Sequence, residues 1–211
     1  MLRFSLFGIP VIVQPWFWIT MGLLGAMMNG DNTVSAVLGI ALFIIAGFLS
    51  VLVHELGHGL TAKAFGRQPI IVLQAFGGYA AYQGGKTTRG QDFLVTAAGP
   101  FVQLLLAGAF FAAFTFFRPP TVPAANFVKW VWVISFFWAI LNLIPVIPLD
   151  GGRLVAILLG PNRQVLAHQV SIAIAIVFAV LLFIYLKSIL FPIFLVAMAH
   201  QNWEAIKLLR R

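Results

Sequence analysis

The chain has 211 residues, 62% of them hydrophobic and 9% charged, with a net charge of +8 and a mean hydropathy of +1.02. Soluble domains carry about 25% charged residues, and a soluble chain of this length could not bury so much apolar surface. A multi-pass membrane protein is expected. The lack of cysteine excludes disulfides and thiolate metal sites. The basic residues lie at segment ends with no interleaved aromatics, which argues against a nucleic-acid partner.

The first apolar stretch, Phe4 to Gln14, is rich in Val, Ile and Phe and is broken by Gly8 and Pro10, so it reads as an extended or interfacial strand. With Pro10 and Pro15 and no small-residue cleavage site, it does not read as a cleavable signal peptide. Pro15-Trp16-Phe17-Trp18 opens a first helix to about Met28, proline suiting a first turn and tryptophan the membrane interface. Asn29 to Asn32 is a polar turn. Val34 to about Phe65 is longer than the ~20 residues a span needs.

Gln68 to Gln83 changes character: β-branched and aromatic residues surround Gly77-Gly78, so a small hairpin is expected, closed by Gly84-Gly85-Lys86. Asp92 to Phe117 is a third span, interrupted at Gly99-Pro100, which is read equally as a kink or as a small-residue helix contact. Ala125 to Leu143 is a fourth. The prolines and glycines between Ile144 and Gly152 break any helix, and Leu154 to Leu159 forms a short one. Gln169 to Leu186 is a fifth span. Ile189 to Ala199 is either a sixth or an interfacial segment. The expectation is one membrane-embedded domain over 1–211, an α-helical polytopic membrane protein with five to six transmembrane helices and a small β element.

If the spans alternate, ten of the thirteen basic residues fall on one side and Arg118, Lys129 and Lys187 on the other. The positive-inside rule makes the ten-residue side cytoplasmic, with the N-terminus there. A multi-pass protein of the cell membrane results, with the segments around His58 and Asp150 toward the cytoplasm.

Within the second span lies His54-Glu55-Leu56-Gly57-His58. An ionisable cluster in hydrocarbon is costly and marks a functional site. Histidines four apart share a helix face and can direct one nitrogen each at a single metal. Glu55 is poorly placed as a third ligand but can reach a metal-bound water. H-E-x-x-H fits zinc-assisted peptide hydrolysis, and catalytic zinc takes three protein ligands. Of the remaining acids, Asp31, Asp92 and Glu204 belong to a turn, a helix start and a polar tail, which leaves Asp150 as the best third ligand. One Zn²⁺ with Asp150 and Glu55 sums to a neutral cluster, which lowers the penalty of burial. Glu55 then serves as general base.

Together, the H-E-x-x-H motif and Asn142-Leu143-Ile144-Pro145-Val146-Ile147-Pro148-Leu149-Asp150-Gly151 resemble the site-2 protease family of intramembrane zinc metalloproteases. The resemblance covers nearly the whole chain. It implies zinc on His54, His58 and Asp150, Glu55 as base, and Asn142 near the site, supporting substrate or the developing oxyanion. A helix C-cap or turn residue is the rival reading of Asn142. Family members often carry G-P-x-x-N in the third span. Here Gly99-Pro100 is followed by Gln103, an amide one methylene longer, which makes Gln103 a candidate to support the ligands. No PDZ-like or CBS-like segment is recognised.

The resemblance further implies cleavage of transmembrane segments of other membrane proteins, such as anti-sigma factors or remnant signal peptides. A helical substrate must unwind to expose its carbonyl, and Ile70 to Tyr82 offers a sheet edge for the unwound chain. Proline at Ile71 to Ala75 is then expected to impair cleavage without loss of zinc. Two rivals are a catalytically inactive membrane scaffold and a zinc transporter. The intact Glu55 argues against the first, and the scarcity of other acids against the second. His168, following Arg163-Gln164, reads as a residue at an interface, and His200 as a polar helix end.

Overall fold

The computed structural model describes residues 1–28, 36–75, 77–84, 87–117, 119–187 and 189–210. The turn expected at Asn29 to Asn32, with Asp31, lies outside them, as do Gly85, Lys86, Arg118 and Arg211. The chain forms two compact units, Met1–Ala139 and Ile140–Arg211.

The first unit opens with a hairpin where a single extended segment was expected. Strands β1 (Leu2–Leu6) and β2 (Ile9–Val13) pair antiparallel, with Leu6 opposite Ile9. Phe7 and Gly8 both have positive φ, 51° and 69°, the geometry of a tight two-residue turn whose twist matches the strands. Helix α1 (Pro15–Met28) and helix α2 (Ala36–Ala64) follow, then β3 (Gln68–Gln74) and β4 (Gly77–Gln83). The sheet order is β1-β2-β3-β4, with β2 and β3 parallel and the other pairs antiparallel. A parallel pair requires a long crossover, which α1 and α2 supply. Ile9, Val11 and Val13 alternate inward on β2, opposite Ile71 and Leu73 of β3. They pack with Phe17, Met21, Phe43 and Val51 into one core, and each such side chain contributes about 1.5–3 kcal/mol.

This order corrects one expectation. β3 is an interior strand bonded on both sides, so proline at Ile71 to Gln74 would break the sheet itself. The open edge nearest α2 in sequence is β4.

Helix α3 (Arg89–Phe116) starts before the expected Asp92 because Thr88 and Gln91 form a reciprocal capping box. It also runs on through Gly99 and Pro100, where an interruption was expected. Helix α4 (Val122–Leu143) begins in this unit. Gly57 of α2 sits so close to α3 that a Cβ there would lie 2.6 Å from Ala98 O.

The second unit holds α5 (Asp150–Leu159), a 3-10 turn (Pro161–Arg163), α6 (Gln164–Leu186) and α7 (Leu190–Leu209). α5 starts at Asp150, four residues before the expected helix, with Gly151 and Gly152 in its first turn. These glycines provide close approach: a side chain at Gly151 would meet the carbonyls of Leu143 and Ile144, and one at Gly152 the backbone of Val146 and Ile147. Gly160, at φ 87°, stops α5. Val146, Ala175, Ala179, Leu195 and Ala199 form this unit's core. α7 continues well past Ala199 through a polar stretch.

Among the described residues, α2, α3, α4 and α6 are long and apolar enough to cross a membrane, and α1 is apolar but shorter. The 29 residues of α2 extend about 43 Å, more than the ~30 Å hydrocarbon core. Large apolar side chains such as Leu105, Val180 and Ile184 point outward, as lipid-facing surfaces do.

Candidate metal centre

His54 and His58 sit one turn apart on α2, both buried, with ring centroids 4.7 Å apart and planes at 84°. Their Nδ1 atoms are held by α3. His58 Nδ1 lies 2.8 Å from Val95 O. A carbonyl only accepts, so this nitrogen carries the hydrogen and His58 Nε2 presents a lone pair. His54 Nδ1 lies 2.9 Å from Gln103 Oε1. The Gln103 amide nitrogen donates to Ser50 Oγ (2.9 Å) and Ser50 O (3.3 Å), which leaves Oε1 as acceptor and gives His54 the same tautomer. Ser135 Oγ donates to Ser50 Oγ at 3.0 Å and closes the chain of bonds.

Two Nε2 lone pairs therefore face each other at 3.1 Å. They repel unless a cation lies between them, and anchored Nδ1–H groups behind the ligating nitrogens are the usual support of metal-binding histidines. Gln103, Ser50 and Ser135 are each 0% exposed, so no water replaces a lost bond. A Gln103→Leu variant is expected to bind zinc about 10- to 100-fold more weakly with the fold retained, read by competition with a chelator.

Glu55 is buried beside the pair, and β4 presses against it: a Cβ at Gly78 would lie 2.8 Å from Glu55 Cγ and 2.9 Å from Oε1. Gly99 of α3 leaves similar room for the His58 ring.

Asp150, also buried, occupies the first turn of α5. The loop before it is held at one residue from both sides. Ile147 N–H donates to Ser171 Oγ (3.1 Å), and Asn202 Nδ2 donates to Ile147 O (2.6 Å) and Met198 O (2.7 Å). Asn202 Oδ1 then accepts from His168 Nδ1 at 2.7 Å. Sequence reasoning missed Asn202. The available signal was an amide inside a continuing helix, which needs partners when it is buried.

His54 and His58 belong to the first unit and Asp150 to the second, and each offers a buried donor atom suited to a metal ion. Two imidazoles and a carboxylate match the three-ligand sets of catalytic zinc. Asn142 lies in the last turn of α4 and is half-buried. His200 is exposed, 4.0 Å from Glu204, and belongs to no site.

The model of peptidase family M50 matches residues 42–125 and 120–185. The protein sll0528 of Synechocystis sp., whose name assigns it to the zinc metalloproteases, is 35% identical over 161 residues, covering 71% of this chain and 41% of that one. Stage IV sporulation protein FB of Bacillus subtilis is 28% identical over 182 residues, covering 82% and 56%. The chain thus spans about half the length of these two relatives. The solved site-2 protease from Methanocaldococcus jannaschii shares the fold, with a TM-score of 0.66 at 21% identity over 97% of this chain and 94% of that one. Two motifs, one helical scaffold and a matching family model agree: the chain belongs to peptidase family M50, the site-2 protease family of zinc metalloproteases.

Proposed function

We propose that the chain is an intramembrane zinc endopeptidase that hydrolyses peptide bonds in transmembrane segments of other membrane proteins. The observation that carries this reading is the buried pair of imidazoles on α2, their Nε2 atoms 3.1 Å apart, with Glu55 buried next to His54 on the same helix. His54, His58 and Asp150 would hold one zinc ion, and Asn142 would support the substrate carbonyl. When bound, zinc acidifies water and polarises the scissile carbonyl.

The chain's own residues supply the remaining steps. Glu55 takes the proton of the attacking water on a carboxylate oxygen and delivers it to the leaving amine nitrogen. Gln103 and Val95 fix both imidazoles so that neither turns away during the reaction. The apolar walls around α2 keep bulk water from competing for the proton.

β4 offers its open edge to an unwound substrate. Strand addition supplies main-chain hydrogen bonds without fixing a sequence, and the strand runs past Glu55 at Gly78. Proline substituted singly from Tyr79 to Tyr82 is expected to abolish cleavage at positions whose N–H faces the open edge, with zinc content retained. Full activity across that scan would remove the edge from the mechanism. The ten-to-three split of basic residues favours a cytoplasmic active site, and membrane-tethered regulators such as anti-sigma factors, or remnant signal peptides, are the substrate class.

The reading is tested by mass spectrometry of membrane proteins from cells carrying the wild type or Glu55→Gln. Fragments ending inside a transmembrane segment only in the wild type identify the clients, and identical fragment sets reject the protease.

A further inference from the structure

A polar cavity lies where α2 gives way to β3. It measures about 340 Å³ and is lined by Gly8 and Pro10 of the first hairpin, Lys63 and Arg67, and the amides Gln68 and Gln83. Among the described residues, no carboxylate lines it. We propose that this cavity binds a phosphate-bearing anion, carried in the membrane by a phospholipid headgroup.

Both cations are held in place before any ligand arrives. Lys63 Nζ donates to Phe7 O at 2.7 Å, which leaves two of its three N–H bonds for another acceptor. Gly66, at φ 77°, ends α2, and the Arg67 N–H returns to Ala62 O at 3.0 Å. The Arg67 guanidinium donates through Nη2 to Thr87 Oγ1 at 2.7 Å and lies over the Tyr82 ring, 5.2 Å from its centroid. Its Nε is shielded from solvent and has no acceptor among the described residues. A buried guanidinium N–H without an acceptor costs about 1–3 kcal/mol. An oxyanion in the cavity would supply that acceptor and balance two fixed positive charges. Asp92 is engaged by the Thr87 hydroxyl and is not part of the lining.

Two features favour a lipid as the source. The cations stand within three helical turns of His58, at the end of a helix longer than the hydrocarbon core, which is headgroup depth. Phe7, 66% exposed, and Ile70, 39% exposed, flank the cavity, so apolar surface adjoins the charge as a headgroup and its acyl chain would require. A headgroup bound here would fix the depth of the helix that carries both histidines.

The test uses the full-length protein released from detergent and read by native mass spectrometry, with phosphatidylglycerol and phosphatidylcholine as competing probes. Lys63→Gln with Arg67→Gln is expected to lower phosphatidylglycerol retention about 10- to 30-fold, since each juxtamembrane cation contributes about a factor of five. Lys207→Gln with Arg210→Gln removes the same charge from α7 and its C-terminal end, and is expected to leave retention unchanged. Zinc content and circular dichroism establish that both variants are folded. If millimolar inorganic phosphate instead raises the melting temperature of the wild type but not of the cavity variant, and no lipid is retained, the anion is free phosphate. Equal retention in wild type and cavity variant with no effect of phosphate, or equal loss in both variants, overturns the site. None of these readouts depends on proteolysis, so they stand apart from the activity proposed above.

Discussion

Glu55→Gln is expected to reduce cleavage of a membrane-embedded reporter by about 10²- to 10⁴-fold while one zinc ion per chain is retained. Glutamine has the shape of glutamate, which matters here because Gly78 is packed against the side chain and leaves no space for a larger group. The amide accepts no proton at neutral pH, so only the proton-transfer role is removed. The ligand nitrogens are untouched, because His54 and His58 take their support from Gln103 and Val95 on α3 rather than from Glu55. The measurement pairs zinc content by elemental mass spectrometry with reporter turnover in proteoliposomes. Turnover above about a tenth of wild type would assign the base elsewhere. Zinc transport without cleavage in the wild type would favour the transporter. His58→Ala is the contrasting control: it loses zinc and activity together.

The candidate metal helix stood out because its cost is visible in sequence. Glu55 and two histidines within apolar α2 have no ordinary structural explanation, and the motif around Asp150 restricted the partner. The helices with long apolar runs were legible for the same reason. What was hidden depends on distance in space. Nothing local states that β2 pairs parallel with β3 across two helices, because that register comes from Ile9, Val11 and Val13 meeting Ile71 and Leu73. Gly151 and Gly152 were read as helix breakers, the sense that isolated propensity assigns, although in the fold they allow the start of α5 to touch the preceding loop. Thr88 with Gln91 was a readable start signal that was passed over in favour of the acidic Asp92. Gln103 was identified from its motif position, but its bridge from His54 to Ser50 and Ser135 exists only once three helices have packed.

Gly99→Ala is expected to remove zinc and, with it, cleavage. Adding one methyl group seems mild, and in most helix interiors alanine is the better helix former by about 1 kcal/mol. Here the new Cβ would overlap the His58 ring at Nε2 and Cε1, the edge that faces His54. The ring has no easy retreat. Its Nδ1 is held by Val95 O, one turn earlier on the same helix, so one stretch of α3 grips one edge of the imidazole and leaves room for the other. Moving α3 away is opposed by the contact between Gly57 and Ala98. Either response, a rotated imidazole or a displaced helix, moves Nε2 off the metal axis. Gly108→Ala is the matched control, since a Cβ at that position on the same helix meets no atom within 4 Å. It is expected to keep zinc and activity and to gain slightly in thermal stability. If the Gly99 variant instead binds zinc as the wild type does, His58 is not held by α3 in the way the tautomer argument requires. Circular dichroism after mild extraction separates a misfolded chain from a folded one that has lost its ligand: the folded variant still gives the wild-type spectrum without metal.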